Sequence, residues 1–230
     1  IQPVKLPSAR NAKWGKPGTK PMASRMPDAV PMAFGEINAT IGIDLGQKRD
    51  HTALVTVERL ERFYGPTDEH SLDDNVHGLE SVYVVRRAAL CPLGTPYPVI
   101  VNQTAELLYR PELREARAVF DGSGVGVGVA DMFKERYRRD RRLRHRPISL
   151  TITSGTGSRG WNVSKFNLIS NLIRITQENR LFIPDDLELA DKLRQEMRDF
   201  TLKYSKAGNV QFEADKESSH DDLVMALSYA

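Results

Sequence analysis

Residues 39–60, ATIGIDLGQKRDHTALVTVERL, hold two short apolar runs separated by a polar turn. The first, ATIGIDLG (39–46), ends in glycine, and the second, HTALVTVERL (51–60), is rich in β-branched residues, so the pair reads as a β-hairpin. One residue breaks the pattern. Asp44 lies among Ile41, Ile43 and Leu45, and a charged group inside a run suited to burial is costly unless something pairs with it. A divalent cation is one such partner.

Working outward, SVYVVRRAAL (81–90) reads as a third strand after a polar insert (61–79). Residues 99–113 read as a helix despite Pro111, ARAVFDG (116–122) as a fourth, buried strand, 125–140 as a helix and PISLTIT (147–153) as a fifth strand. Two amphipathic helices follow at about 164–180 and 186–203, with Phe166, Leu168, Ile169, Leu172, Ile173 and Ile175 on one face of the first and Leu189, Leu193, Met197 and Phe200 on the second. NVQFEA (209–214) reads as a short edge strand, and SSHDDLVMALSYA (218–230) as the last helix. Residues 1–38 carry Pro3, Pro7, Pro17, Pro21, Pro27 and Pro31 and no sustained apolar period, which predicts an extended linker or arm before a folded domain at 39–230. A three-strand meander followed by strand, helix, strand and helix is the order of a ribonuclease H-like α/β domain, a mixed sheet with parallel strands flanked by helices.

In that order the first and fourth strands lie side by side, which brings Asp44 and Asp121 within reach of one ion. The last helix then lays its N-terminus on the same sheet edge and delivers Asp221 or Asp222. Several carboxylates completed by water and phosphate oxygens suit Mg²⁺ or Mn²⁺. Bland readings of the same residues stand beside this one. Ser219-x-x-Asp222 fits a capping box, and negative charge in a first helical turn is favourable by roughly 0.3–1 kcal/mol without any metal. Asp121, followed by glycines, is equally a turn residue.

The 230 residues suffice for one substantial core; 40% are hydrophobic and 27% charged, ordinary values for a soluble globular protein. Nothing approaches the roughly 18 consecutive apolar residues of a membrane span. Cys91 is the only cysteine, which excludes an intrachain disulfide and a cysteine-based zinc site, and a cytoplasmic setting is expected. The start at Ile1 suggests an excised domain or a trimmed product. Net charge is only +3, yet residues 134–146, KERYRRDRRLRHR, hold eight Lys or Arg against Glu135 and Asp140. Arg136, Arg138, Arg139, Arg141, Arg142 and Arg144 are therefore candidate phosphate contacts, since neutralising nucleic-acid phosphates releases counterions. A solvated helix end is the plain alternative.

GIDLGQKRDHTALV, AVFDGSGVGVGVADMF, VSKFNLISNLI with ENRLFIP, and SSHDDLVMALSYA resemble, in order, the successive motifs of the nuclease domain of the phage terminase large subunit, from about Ala39 to Ala230. The resemblance implies a ribonuclease H-like fold and a metal-dependent endonuclease that cuts double-stranded DNA during viral genome packaging in the bacterial host cytoplasm. It makes Asp44, Asp121 and Asp222 the acidic metal ligands, with Asp221 auxiliary, and puts Asp50 on a family-like position that a turn aspartate explains as well. It further implies partners: an ATPase motor domain, a small terminase subunit and a portal. No G-x-x-x-x-G-K-[ST] phosphate loop occurs here, so ATP-driven translocation belongs to other sequence. With two ions about 3.5–4 Å apart, one activates the attacking water and the other stabilises the leaving oxygen; Asp44 is the natural bridge between them. Lys165 is either a phosphate contact or a solvated lysine, and His220 either a hydrogen-bonding neighbour of the site or of the helix cap.

IGIDLG and DGSGVGVG also resemble the phosphate loops of actin-like and sugar-kinase-like nucleotide-binding domains, although such proteins duplicate the domain and this chain is too short for two copies. A junction resolvase or transposase-type nuclease of the same fold, and a DNA-binding module with a decayed site, complete the alternatives.

Overall fold

A computed structural model of the chain describes residues 38–46, 48–64, 78–153, 158–206 and 221–230. Among the described residues seven strands form one sheet: β1 (Asn38–Asp44), β2 (Ala53–Tyr64), β3 (Gly78–Leu90), β4 (Arg117–Asp121), β5 (Ile148–Thr153), β6 (Asn162–Ser164) and β7 (Leu181–Phe182). Their spatial order is β6-β5-β4-β1-β2-β3-β7. The first three strands pair antiparallel as a meander. β4 then adds parallel to the free side of β1, and β5 and β6 continue outward in parallel. This is the mixed, ribonuclease H-like α/β arrangement expected from the order of elements.

Helices cover both faces. Helix α1 (Tyr97–Leu108) and α2 (Gly126–Arg139) lie on one, and α3 (Lys165–Gln177), α4 (Ala190–Lys206) and α5 (Asp222–Tyr229) on the other. Coverage on both sides is why β1 and β4 read as continuous apolar runs instead of alternating ones. The alternation is still there, but it separates two cores. Ile41, Ile43, Ala118 and Phe120 enter the core under α1 and α2, with Val129 and Phe133. Val119, Val55, Val57 and Leu150 enter the core under α5, with Leu223, Val224 and Leu227.

Gly42 lies between the two isoleucines and so faces α5. A Cβ there would meet the Ala226 carbonyl oxygen at 1.8 Å and the Ala230 nitrogen at 2.9 Å. The missing side chain lets the α5 backbone rest directly on β1.

Several boundaries differ from the sequence reading, each for a local reason. The predicted helix over 99–113 ends at Leu108; Arg110 is extended (ψ 138°) and Pro111–Leu113 form a separate 3-10 turn, because proline disfavours helical backbone in the residue before it. The meander strands run past the predicted ends at residues 60 and 81, to Tyr64 and from Gly78. Helix α4 starts at Ala190, after a turn in which Leu187 N–H bonds the Pro184 carbonyl. Strands β6 and β7, three and two residues long, are too short to generate a period and were not expected. The predicted strand at 209–214 lies outside the described residues, as do residues 1–37 of the arm expected at 1–38, whose last residue, Asn38, opens β1. Among the described residues no helix is long and apolar enough to cross a membrane.

Candidate active site

Parallel pairing of β1 with β4 sets Ile41 against Ala118, Gly42 against Val119 and Ile43 against Phe120. One more step along that register sets Asp44 beside Asp121, at the C-terminal rim of the sheet. Successive side chains alternate between faces, so Asp44 shares the face of Gly42, and Asp121 that of Val119. Both carboxylates therefore point to the α5 side. Asp121 accepts hydrogen bonds from the backbone N–H of Ser123 at 2.9 Å and its hydroxyl at 2.7 Å.

Helix α5 brings the second acidic pair. Asp221 occupies its N-cap position but makes no side-chain capping bond; its carboxylate accepts instead from the Lys165 ammonium at 3.3 Å. Asp222, in the first turn, is buried. The first-turn donors of α5 are satisfied from elsewhere: Glu196 of α4, itself buried, accepts from Leu223 N–H at 2.9 Å and Val224 N–H at 3.3 Å. A side chain from another helix thus caps the first turn of α5; the Ser219-x-x-Asp222 pattern includes Ser219, which lies outside the described residues.

The electrostatics follow from this crowding. Burial pushes the Asp44 carboxyl up to about 8, helped by the charges of Asp222, Asp221 and Asp121 and opposed by Lys165. Burial raises the Tyr229 phenol, with the charges of Asp44, Asp121 and Asp221 adding to it, and the phenol hydrogen-bonds Asp44. Burial also raises Glu196, to about 7, against the pull of the Val224 and Leu223 N–H groups and Lys192.

The structure therefore brings Asp44, Asp121, Asp221, Asp222 and Lys165 to one rim. It places the other candidates elsewhere. Asp50 is exposed in the turn between β1 and β2, its backbone carbonyl against Gly46. His220 lies outside the described residues. Arg136, Arg138, Arg139, Arg141, Arg142 and Arg144 lie at or beyond the far end of α2, remote from the rim. Two site residues escaped the sequence reading, and both left a signal. Tyr229 follows Asp222 by seven residues, two helical turns along the same face, and Glu196 is a lone carboxylate within the apolar stripe of Leu193 and Met197.

No protein-family model matches the chain, and no curated protein does. Solved structures do. The large terminase nuclease of thermophilic phage G20c with bound magnesium aligns with a TM-score of 0.53 at 20% identity, over 88% of this chain and 84% of that one. A second structure of the G20c large terminase nuclease aligns with a TM-score of 0.51 at 21% identity, over 85% and 81%. The fold is that of a large terminase nuclease.

On this terminase nuclease fold the rim has the chemistry of a hard-cation site. Its donors are carboxylate oxygens, and one ammonium faces four acids. The carboxylates do not close into a finished cage: among the described residues no three His, Cys, Asp or Glu side chains stand close enough together to hold an ion. Charges act on one another over several ångströms, whereas ligand oxygens must lie about 2.0–2.1 Å from Mg²⁺. The donor set, carboxylate oxygens alone, is of the kind Mg²⁺ or Mn²⁺ takes, and the side chains would have to close in from where they stand to hold an ion.

A pH dependence follows. Asp44 and Glu196 bind protons more tightly folded than unfolded, so the metal-free fold loses stability as pH rises from about 4 toward the values of about 8 and about 7, by at most roughly 1.4 kcal/mol per pH unit for each group. Thermal melts in chelator are expected to give a higher midpoint at pH 5.5 than at pH 8, and divalent ions are expected to stabilise more at pH 8. A midpoint that rises with pH across this window would contradict the burial of both carboxyls.

Proposed function

We propose that the chain is a divalent-metal-dependent endonuclease that hydrolyses phosphodiester bonds of double-stranded DNA, the nuclease portion of a large terminase used in viral genome packaging. In this reading 39–230 is the nuclease domain, 1–38 an arm, and an ATPase motor domain, small terminase subunit and portal are its partners. The observation that carries it is the meeting of Asp44 and Asp121 from neighbouring strands with Asp221 and Asp222 from α5 at one rim of this fold. Asp44, Asp121 and Asp222 would hold Mg²⁺ or Mn²⁺, with Asp221 auxiliary. When bound, two such ions neutralise the facing carboxylates, acidify the attacking water and offset charge on the leaving oxygen.

The chain's own residues have distinct tasks. Asp44, central on the rim, is the group whose proton must leave before it can ligate. Tyr229 donates to Asp44 and fixes its orientation. Lys165 offsets the charge of Asp221 and is positioned to meet a phosphate oxygen that enters the rim. Glu196 holds the first turn of α5, and with it Asp222, against α4.

The direct test is plasmid nicking by the whole chain with Mg²⁺, Mn²⁺ or chelator. Nicking that requires an ion supports the proposal; a folded chain that binds Mn²⁺ yet cuts no linear, supercoiled or branched DNA sinks it. Preference for branched over linear duplex would favour the junction resolvase reading of the same fold. Tyr229→Phe keeps the ring and removes the donor, so the fold should persist while Mn²⁺ affinity falls about 10- to 100-fold, the usual effect of losing a ligand's hydrogen-bonding partner. Titration of Mn²⁺ by its electron-spin signal reads this directly, and equal affinity would remove Tyr229 from the site.

A further inference from the structure

The arginine-rich stretch has a different meaning once it is placed in the fold. Helix α2 starts at the rim, where Gly126 packs against the Asp121 carbonyl. From Gly126 to Arg139 it rises about 20 Å and carries the basic residues to the opposite end of the sheet. Arg117, the first residue of β4, marks that same end, about 13 Å along the strand from Asp121.

Two segments merge there. Glu115 pairs with Arg144 and with His145 at 2.9 Å. The Tyr109 hydroxyl bonds Asp140 and accepts from Arg136 at 2.7 Å, while Arg142 stacks 3.9 Å over the Tyr109 ring. These links fuse residues 110–117 and 134–146 into one surface with eleven Lys or Arg against four Asp or Glu, an excess of +7 in a chain whose total is +3. The remaining residues of the chain therefore sum to a net negative charge. Arg114, Arg117, Arg141 and Arg146 are exposed on the merged surface and carry no ion pair among the described residues.

We propose that this basic end of the molecule is a second DNA-binding surface that grips the phosphate backbone of a duplex segment other than the one at the acidic rim. Ten of the eleven cations are arginines, whose planar forks suit phosphate oxygens. A protein partner would call for apolar anchors at the centre of the patch, and the large exposed hydrophobics, Leu93, Val99, Val125, Val127, Met132 and Trp161, all lie outside both segments. The rim acids face the α5 side of the sheet whereas α2 carries the basic residues on the other face, and duplex DNA, stiff over about 150 base pairs, does not wrap from one face to the other within a short segment. That this surface is additional to the rim rests on the nuclease reading; the binding itself does not.

The test is fluorescence anisotropy of the whole chain with a labelled 20-base-pair duplex in chelator, across a salt series. The variant Arg114→Gln/Arg117→Gln/Arg141→Gln/Arg146→Gln changes exposed, unpaired side chains and should melt as wild type does. Its log-affinity against log-salt slope should be shallower by up to about 3.6, because each of four phosphates no longer neutralised takes roughly 0.9 from that slope. An unchanged slope overturns the proposal, as does displacement of the duplex by poly-glutamate at equal charge concentration, which would mark an acidic-protein dock. Separateness is read by energy transfer between donor- and acceptor-labelled duplexes at concentrations where the protein is monomeric. Transfer with wild type and none with the variant supports two surfaces; no transfer with wild type overturns them. Lost nicking with the slope effect intact would remove only the rim reading.

Discussion

Asp44→Asn is expected to abolish the proposed ion-dependent nicking and at the same time to stabilise the metal-free domain at pH 8. The two effects share one cause. Asp44 is half-buried among Asp222, Asp221 and Asp121, and its ionisation is pushed up to about 8. Ionised, it opposes folding; neutral asparagine of the same shape relieves the repulsion and still accepts from Tyr229. The expected gain is a few kcal/mol at most, since a tenfold change in proton affinity corresponds to about 1.4 kcal/mol, and it should disappear near pH 4. Cleavage moves the other way. The lost charge would weaken the proposed ion site and cost several kcal/mol of transition-state stabilisation, on the order of a thousandfold in rate. Asp121→Asn should be equally inactive. A plasmid assay in Mn²⁺ paired with melts in chelator reads both, and near-wild-type cutting by either variant would remove that residue from the ligand set.

Gly42→Ala is expected to be the most damaging single methyl group in the domain. Its Cβ would stand 1.8 Å from the Ala226 carbonyl oxygen, and within 2.9 Å of two further backbone atoms. Backbone cannot rotate aside as a side chain does, so β1 and α5 must separate by more than an ångström. Overpacking of this kind costs about 1–3 kcal/mol, occasionally more, and a buried helix with no room to tilt belongs at the upper end. The displacement also carries Asp221 and Asp222 away from Asp44, so Mn²⁺ affinity should fall along with the melting midpoint. Gly128→Ala is the matched control: nothing lies within 4 Å of its Cβ in the first turns of α2, and helix propensity favours alanine by roughly 0.5–1 kcal/mol. If Gly42→Ala melts with or above wild type, the close approach of α5 to β1 is wrong.

Much of the fold was legible because its signals are local. The β-branched run after Asp44, the apolar run ending at Asp121 and the helical spacing of Ile169, Leu172 and Ile175 each name an element within a dozen residues. Their order then restricts the topology, since a meander followed by strand-helix-strand units leaves the free side of β1 for β4. The two-residue β7 could not be seen this way, because Leu181 and Phe182 become a strand only through pairing with Tyr83 and Val84, about a hundred residues earlier. Glu196 was hidden for a similar reason: it caps a helix that begins 26 residues further on, across a gap that no local pattern spans.

By itself the sequence determined that acidic residues interrupt apolar runs at Asp44 and Asp121 and open an apolar helix at Asp221 and Asp222, because hydrophobic patterning and charge are properties of neighbours along the chain. Only the tertiary structure decided which face those acids share, that Tyr229 and Glu196 hold them, and that the arginines lie at the opposite pole. Strand register and helix direction set these distances, and both are fixed by the packing of Gly42 against α5 and of α2 against β4, contacts between residues far apart in sequence.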